Sequence, residues 1–265
     1  MEASREQTHF VLVHGICHGA WCWHKLKPRL KSAGHRVTAL DLAASGINMK
    51  AIQDVHTFHD YSEPLLDLFA SLPPNQKVIL VGHSLGGLNL AIAMEKYPEK
   101  VAVGVFVTAL MPDTTHKPSY VLDQVRHQQQ VFGTSKFAFG KNMALPPFKL
   151  YFEATPNWHC GNVCYKLRCN LFKDLELAKT LVRPTSWFHE DLSKVKNFSN
   201  EGYGSVPQVY VVCDEHSISK EYQRWMIENG GAKDVMEIKG ADHMAMFSKP
   251  QDLCHCLLEI ARKYA

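Results

Sequence analysis

The chain has 265 residues, 46% of them hydrophobic, and a formal charge of +3. That length gives one large domain an ample core, and the scattered Lys and Arg form no basic stripe for nucleic acid. The polar start "MEASREQTHF" lacks the long apolar segment of a signal peptide or membrane span, so no membrane association and a cytoplasmic location are expected.

In chain order, "HFVLVHG" (His9 to Gly15) is a short apolar run ending in glycine and predicts a buried strand. "HRVTALDLA" (His35 to Ala43) predicts a second. "YSEPLLDLFASL" (Tyr61 to Leu72) has helical apolar spacing, and "PPN" stops it. "KVILVGH" (Lys77 to His83) is a third strand, and "GGLNLAIAMEKYP" (Gly86 to Pro98) a helix that ends before its proline. "VAVGVFVTAL" (Val101 to Leu110), "QVYVVCD" (Gln208 to Asp214) and "VMEIKGADH" (Val235 to His243) predict three more strands. "PQDLCHCLLEIARKY" (Pro250 to Tyr264) is a closing helix with proline near its start.

Strands alternating with helices imply an α/β fold: a mostly parallel sheet with helices on both faces. The rhythm breaks between about Asp113 and Asn200, a stretch rich in aromatics, Pro, Gln and His with helical pieces such as "KDLELAKTLV". We expect a single domain over residues 1–265 with a cap inserted at about 113–200. The cap would cover the carboxyl edge of the sheet, where open α/β sheets bind ligands. Aromatic residues of the cap, Trp158, His159, Trp187 and Phe188 among them, suit either a pocket wall for a ring-bearing acid or a packed cap core. Eight cysteines without a secretory signal are expected to be reduced thiols, mostly buried. "HCGNVCYKLRC" (His159 to Cys169) matches no familiar zinc spacing, and neither a metal nor another cofactor is expected.

The chemistry is carried by "GHSLG" (Gly82 to Gly86), a G-x-S-x-G pattern between a predicted strand and a predicted helix. In that context Ser84 stands at a strained turn with its hydroxyl presented as a nucleophile. A serine hydroxyl needs a base, and His243, in "KGADHMAM" after the last strand, lies on a loop over the same edge. His83 is read as structural, because neighbours at such a turn point apart. The backbone N–H of Leu85 is expected to be one oxyanion donor and that of Ile16, in the loop "HGICHGAW", the other. His14 and His18 are expected to hold that loop's shape.

"HFVLVHGICHGAWCWHKLKPRL", "VTALDLAASGI", "KVILVGHSLGGLNLAIAMEKYPEKVAVGVF" and "EIKGADHMAM" resemble the plant methylesterases, which include salicylate-binding esterases, polyneuridine aldehyde esterase and related hydroxynitrile lyases. The likeness covers nearly the whole chain and thins at about Gln128 to Lys173. It implies an α/β-hydrolase fold, no cofactor, frequent homodimers and hydrolysis of small carboxylic methyl esters. Such a substrate is either a hormone ester such as methyl salicylate, methyl jasmonate or methyl indole acetate, or a carbomethoxy group on an indole alkaloid whose freed acid then loses carbon dioxide. The segment "CDEHSIS" departs from the family by one residue, so that register places the triad acid on His216 counting forward and on Glu215 counting back. Asp214, nearest the strand end, is the chosen acid, with Glu215 or no carboxylate at all as the alternatives. The related lyases carry threonine and lysine where this chain has Gly15 and Met244, which disfavours lyase chemistry. A ligand receptor with weakened catalysis is the third reading, and turnover of any ester separates it from an esterase.

Overall fold

The structure, a computed structural model, describes residues 7–124, 172–214 and 218–265. Six strands form one parallel sheet: β1 (His9–Val13), β2 (Arg36–Leu40), β3 (Val78–His83), β4 (Val101–Val107), β5 (Gln208–Cys213) and β6 (Asp234–Ile238). Their order across the sheet is β2-β1-β3-β4-β5-β6, with every neighbouring pair parallel. The α-helices named below are α1 (Leu26–Ser32), α2 (Phe58–Ser71), α3 (Gly86–Lys96), α4 (Phe172–Leu181), α5 (His189–Lys194), α6 (Lys220–Gly230), α7 (Ala245–Ser248) and α8 (Pro250–Tyr264).

The two-residue period of the strands sorts the core into two layers. Val11, Val13, Leu80 and Tyr210 face a layer completed by Leu65 and Phe69 of α2, Leu88 of α3 and Met226 of α6. Phe10, Leu12, Val81 and Val211 face the other, completed by Leu26 and Leu30 of α1 and by Leu253 and Leu257 of α8. Both faces are covered, which is why the strands read as nearly unbroken apolar runs. Consecutive strands leave β1 on opposite sides, β2 to one and β3 to the other. The crevice at the carboxyl ends of β1 and β3 is therefore the switch point at which such sheets bind ligands.

Element ends differ from the sequence reading for local reasons. The fourth strand stops at Val107 rather than Leu110, because Thr108 takes a left-handed φ of 40° and leaves the ladder. The sixth stops at Ile238, and Gly240 turns the chain at φ 68°. Helix α2 begins at Phe58, earlier than the apolar spacing indicates, because Thr57 and Asp60 cap each other's backbone N–H groups at 3.0 Å. Helices α1 and α6 were not among the predicted elements. The second carries its own signals: Ser219 caps the N–H of Tyr222, and Gly231 ends the helix at φ 74°.

Among the described residues no helix is long and apolar enough to cross a membrane. The segment from His159 to Cys169 lies outside the described residues, as do the aromatic residues Phe148, Tyr151, Phe152 and Trp158. Of the five cysteines described, four are buried.

The β3–α3 junction leaves no room for side chains. A Cβ on Gly87 would come within 2.2 Å of the Leu110 carbonyl oxygen, which is backbone and cannot yield. Gly87→Ala is expected to destabilise the fold by about 3 kcal/mol. Gly34→Ala, left-handed at φ 94° but with nothing within 4 Å, should cost only about 1 kcal/mol. Denaturant unfolding of the two variants measures the difference, and equal losses would contradict the packing described.

Candidate active site

Ser84 follows β3 directly and holds a left-handed φ of 54°, a conformation that costs a non-glycine residue roughly 1–3 kcal/mol. The surroundings impose it. Gly82 lies so close to α3 that a Cβ would meet Leu90 Cδ1 at 2.5 Å, and one on Gly86 would meet the His14 carbonyl oxygen at 2.7 Å. The Ser84 carbonyl accepts from the N–H groups of Gly87 at 3.1 Å and Leu110 at 2.9 Å, which hold the turn closed. Helix α3 begins two residues later, so its N-terminus adds positive potential where negative charge would develop. Cys17, after β1, and Thr108, after β4, are also left-handed, at 63° and 40°. Backbone strain thus gathers on the same edge of the sheet.

The loop after β1 lies against the serine. A Cβ on Gly15 would come within 2.9 Å of Ser84 Cβ and 3.0 Å of His83 Nδ1, so only glycine fits. Among the described residues no hydrogen bond engages the N–H of Ile16 or of Leu85. Several groups hold this loop. His14 donates from Nδ1 to the Gly15 carbonyl at 2.8 Å and accepts at Nε2 from the Leu42 N–H at 3.1 Å. His18 Nδ1 donates to the Ile16 carbonyl at 2.7 Å. Asp41 accepts from the Ala20 N–H at 2.7 Å. The segment that follows α4 pairs with the loop as well: Arg183 N–H donates to Cys17 O at 3.1 Å, and Cys17 N–H donates to Thr185 Oγ1 at 3.3 Å. The Arg183 guanidinium then donates to the carbonyls of Gly46, Asn48 and Lys50. Asp41, Arg183 and Thr185 carry no motif, and nothing in their spacing singles them out.

His243 lies on the loop after β6 and is 7% exposed. Its carbonyl is the anchor: His83 donates to it from Nε2 at 2.7 Å, and Thr108 Oγ1 donates at 3.3 Å. The two imidazole rings lie 4.6 Å apart. His83 is thus more than a spacer beside the serine. The residue next to Ser84 fixes the backbone of His243 across 160 positions of sequence. Burial first, and then the charge of His243, hold the His83 pKa well below 6.5, so it stays a neutral donor.

Asp214 takes a place different from the one its spacing suggests. Its Oδ1 accepts from Lys220 Nζ at 2.6 Å and its Oδ2 from the Gly240 N–H at 2.8 Å, and the residue is exposed. The backbone hydrogen bond from Gly240 and the Lys220 ammonium hold its carboxyl below the usual range. No described hydrogen bond joins it to the His243 ring. Instead it clips the loop that carries His243 to the end of β5. Glu215 and His216, the other positions to which the family register points, lie outside the described residues.

Phe188 belongs to the core rather than to a pocket wall: it packs on Tyr61 at 5.3 Å and Phe58 at 5.7 Å, with a φ of 49°. Asp191 of α5 accepts from the Phe58 N–H at 2.8 Å, which ties this return segment to the start of α2. A cavity of about 530 Å³, lined by Thr114, Tyr203, Gln208, Gly230 and Lys233 among others, opens at the amino end of β5, on the edge of the sheet away from Ser84. Among the described residues no group of three or more His, Cys, Asp or Glu side chains is placed to hold a metal ion.

His83→Leu is expected to lower kcat by about 10- to 100-fold with little change in KM, because the displaced His243 still leaves a substrate pocket. His83→Gln, which keeps a donor, should recover much of the loss. An unchanged kcat in His83→Leu would remove the tether from the mechanism. Burial also sets an acid limit on the fold. His14 and His18 are each lowered from 6.5 to about 4, chiefly by desolvation. The unfolded chain binds these protons first, so stability is complete above pH 6.5 and drains away as pH falls towards 4. At pH 5 each imidazole should have cost about 2 kcal/mol. Urea unfolding at pH 7.5 and pH 5 measures the drop, and equal free energies would contradict buried neutral rings.

Residues 10–255 match the model of the alpha/beta hydrolase family. The chain is 52% identical to methylesterase 1 of Arabidopsis thaliana, the match covering 100% of each. It is 51% identical to salicylic acid-binding protein 2 of Nicotiana tabacum, over 98% of this chain and 99% of that one. Among solved structures it resembles polyneuridine aldehyde esterase, the enzyme of Rauvolfia serpentina, with a TM-score of 0.82 and 45% identity over 97% of this chain and 100% of that one. Parallel sheet, glycine-locked serine turn and full-length similarity agree, and the chain belongs to the alpha/beta hydrolase family.

Proposed function

We propose that this protein is a serine carboxylic ester hydrolase that cleaves the methyl ester of a small organic acid through an acyl-enzyme. The observation that carries the reading is the direct hydrogen bond from His83, beside Ser84, to the backbone of His243, which couples nucleophile and base in one rigid unit. Ser84 Oγ attacks the ester carbonyl while His243 accepts its proton, and the N–H groups of Ile16 and Leu85 receive the oxyanion. His243 returns the proton to the departing methoxide, and methanol leaves. Water, deprotonated by the same imidazole, then attacks the acyl-enzyme and frees the acid. Asp214 serves the base through Gly240, by holding its loop, and the measured cost of Asp214→Asn tests that part.

Relatives named for methylesterase, salicylic acid-binding and polyneuridine aldehyde esterase activities support a methyl ester of a hormone-like acid or of an alkaloid. A carbomethoxy group β to a carbonyl or imine would yield an acid that loses carbon dioxide unaided. Lyase chemistry fits less well. The threonine that the related lyases carry would stand at Gly15, where a Cβ already meets Ser84 at 2.9 Å, and their lysine would stand at Met244. A homodimer without cofactor completes the reading on the strength of the resemblance alone.

Ser84→Ala is expected to abolish turnover of a methyl ester panel in a protein with unchanged unfolding free energy, with acid and any decarboxylated product followed by mass. In the unmodified enzyme kcat/KM should fall as pH drops through the titration of His243, since only neutral imidazole accepts the serine proton. Full activity in folded Ser84→Ala would exclude the mechanism. Absence of turnover by the unmodified protein on every ester would favour a ligand receptor.

A further inference from the structure

The peptide units on either side of Ile16 are both fixed by hydrogen bonds. In the preceding unit, the Gly15 carbonyl accepts from His14 Nδ1 at 2.8 Å and from the His18 N–H at 3.3 Å. The following unit is held at both ends. The Ile16 carbonyl accepts from His18 Nδ1 at 2.7 Å, and the Cys17 N–H donates to Thr185 Oγ1 at 3.3 Å. The Cys17 carbonyl in turn accepts from the Arg183 N–H at 3.1 Å. Between these fixed units, the Ile16 N–H engages no hydrogen bond among the described residues. Cys17 completes the arrangement at a left-handed φ of 63°, which a non-glycine residue keeps only where its surroundings over-determine it.

His14 and His18 belong to the loop itself, whereas Thr185 reaches it from 168 positions away. Thr185 and Cys17 are both buried, so a lost hydroxyl leaves the Cys17 N–H without a ready replacement. The backbone that delivers Thr185 is anchored on both sides. Before it, the Arg183 guanidinium donates to the carbonyls of Gly46, Asn48 and Lys50. After it, Phe188 packs on Tyr61 at 5.3 Å, and Asp191 accepts from the Phe58 N–H at 2.8 Å. The run that is clamped is also the one against the serine, since a Cβ on Gly15 would come within 2.9 Å of Ser84 Cβ. Fixing the peptide units on both sides of the Ile16 Cα leaves its N–H one direction.

We propose that Thr185 is a positioning residue for the oxyanion donor: its hydroxyl oxygen, by accepting the Cys17 N–H, holds the peptide unit after Ile16 and so aims the Ile16 N–H at the anion that forms at Ser84. This rests on the ester hydrolase reading above. An oxyanion donor stabilises the transition state more than the bound ester, so a misaimed donor lowers kcat and leaves KM nearly unchanged. The base is not touched, so the pH at which activity falls stays where it is.

The test compares two variants. Thr185→Val keeps the side-chain shape and removes the acceptor, and Thr185→Ser keeps the hydroxyl and removes a methyl. The substrates are methyl salicylate, methyl jasmonate and methyl indole acetate, with kinetics on whichever is turned over fastest. Thr185→Val should lower kcat roughly tenfold, with KM within about twofold and the acid limb of the pH profile unshifted. Thr185→Ser should recover most of the rate. Phenylboronic acid gives a readout without turnover: Ser84 Oγ bonds to boron, its proton passes to His243, and boron becomes a tetrahedral anion. Its affinity, followed by ¹¹B NMR, should fall roughly tenfold in Thr185→Val and little in Thr185→Ser. Loss of folded protein changes the number of sites and not this affinity. Should Thr185→Val not fold, Thr185→Ala takes its place with the same expectation. Unchanged kcat and boronate affinity in the variant without a hydroxyl overturn the proposal, as does a loss that Thr185→Ser fails to recover. An unmodified protein that hydrolyses none of the esters and forms no tetrahedral boronate refutes the hydrolase reading, and the proposal with it. An active unmodified protein with unaffected variants refutes the proposal alone.

Discussion

The close approach of β3 and α3 is the constraint on which the rest of this molecule depends. Gly82, Gly86 and Gly87 each lack room for a Cβ, against Leu90, the His14 carbonyl and the Leu110 carbonyl respectively. Once those contacts are made, the chain has no extended or helical path between strand and helix, and Ser84 is driven to a positive φ. The strain there is supported by a sheet buried on both faces, which can absorb a few kcal/mol at one residue without losing its shape. Gly86 also touches the backbone after β1, so the same junction sets the distance between the serine and the loop after β1.

Histidines organise the site around that junction, and the partner of each ring nitrogen decides what each one does. A ring bonded to backbone at both nitrogens, as His14 is, becomes a brace between the loops after β1 and β2. A ring bonded to another residue's carbonyl, as His83 is, becomes a tether that joins distant segments. Burial keeps these rings neutral, so they hold their neighbours without adding positive charge beside the base. The same burial makes the fold sensitive to acid, a consequence of placing imidazoles where proteins usually place aliphatic side chains.

The segment that follows α4 is braced against the loop after β1 and the loop after β2. Arg183 and Thr185 bond the backbone of Cys17, and the Arg183 guanidinium gathers three carbonyls from the loop after β2. Asp191 and Phe188 anchor the same stretch to α2. Changes in this segment can therefore reach the loop after β1 through the backbone.

Sequence alone determined the α/β class, the strands, the nucleophile candidate and the base candidate, because these follow from local signals. Apolar runs such as "KVILV" need no partner to be read as buried strands, and "GHSLGG" states its turn in its own glycines. The resemblance to the related lyases also disfavoured lyase chemistry, at Gly15 and Met244. Tertiary structure decided whatever depends on which backbone group stands opposite a side chain. Asp214, chosen for its nearness to β5, clips Gly240 and Lys220 because the loop after β6 brings an amide and α6 brings an ammonium to it. His83, read as structural, has its partner named only by the fold: it holds His243 through the backbone carbonyl. Hydrogen-bond direction and desolvation are properties of packed neighbours, and no pattern along the chain encodes them.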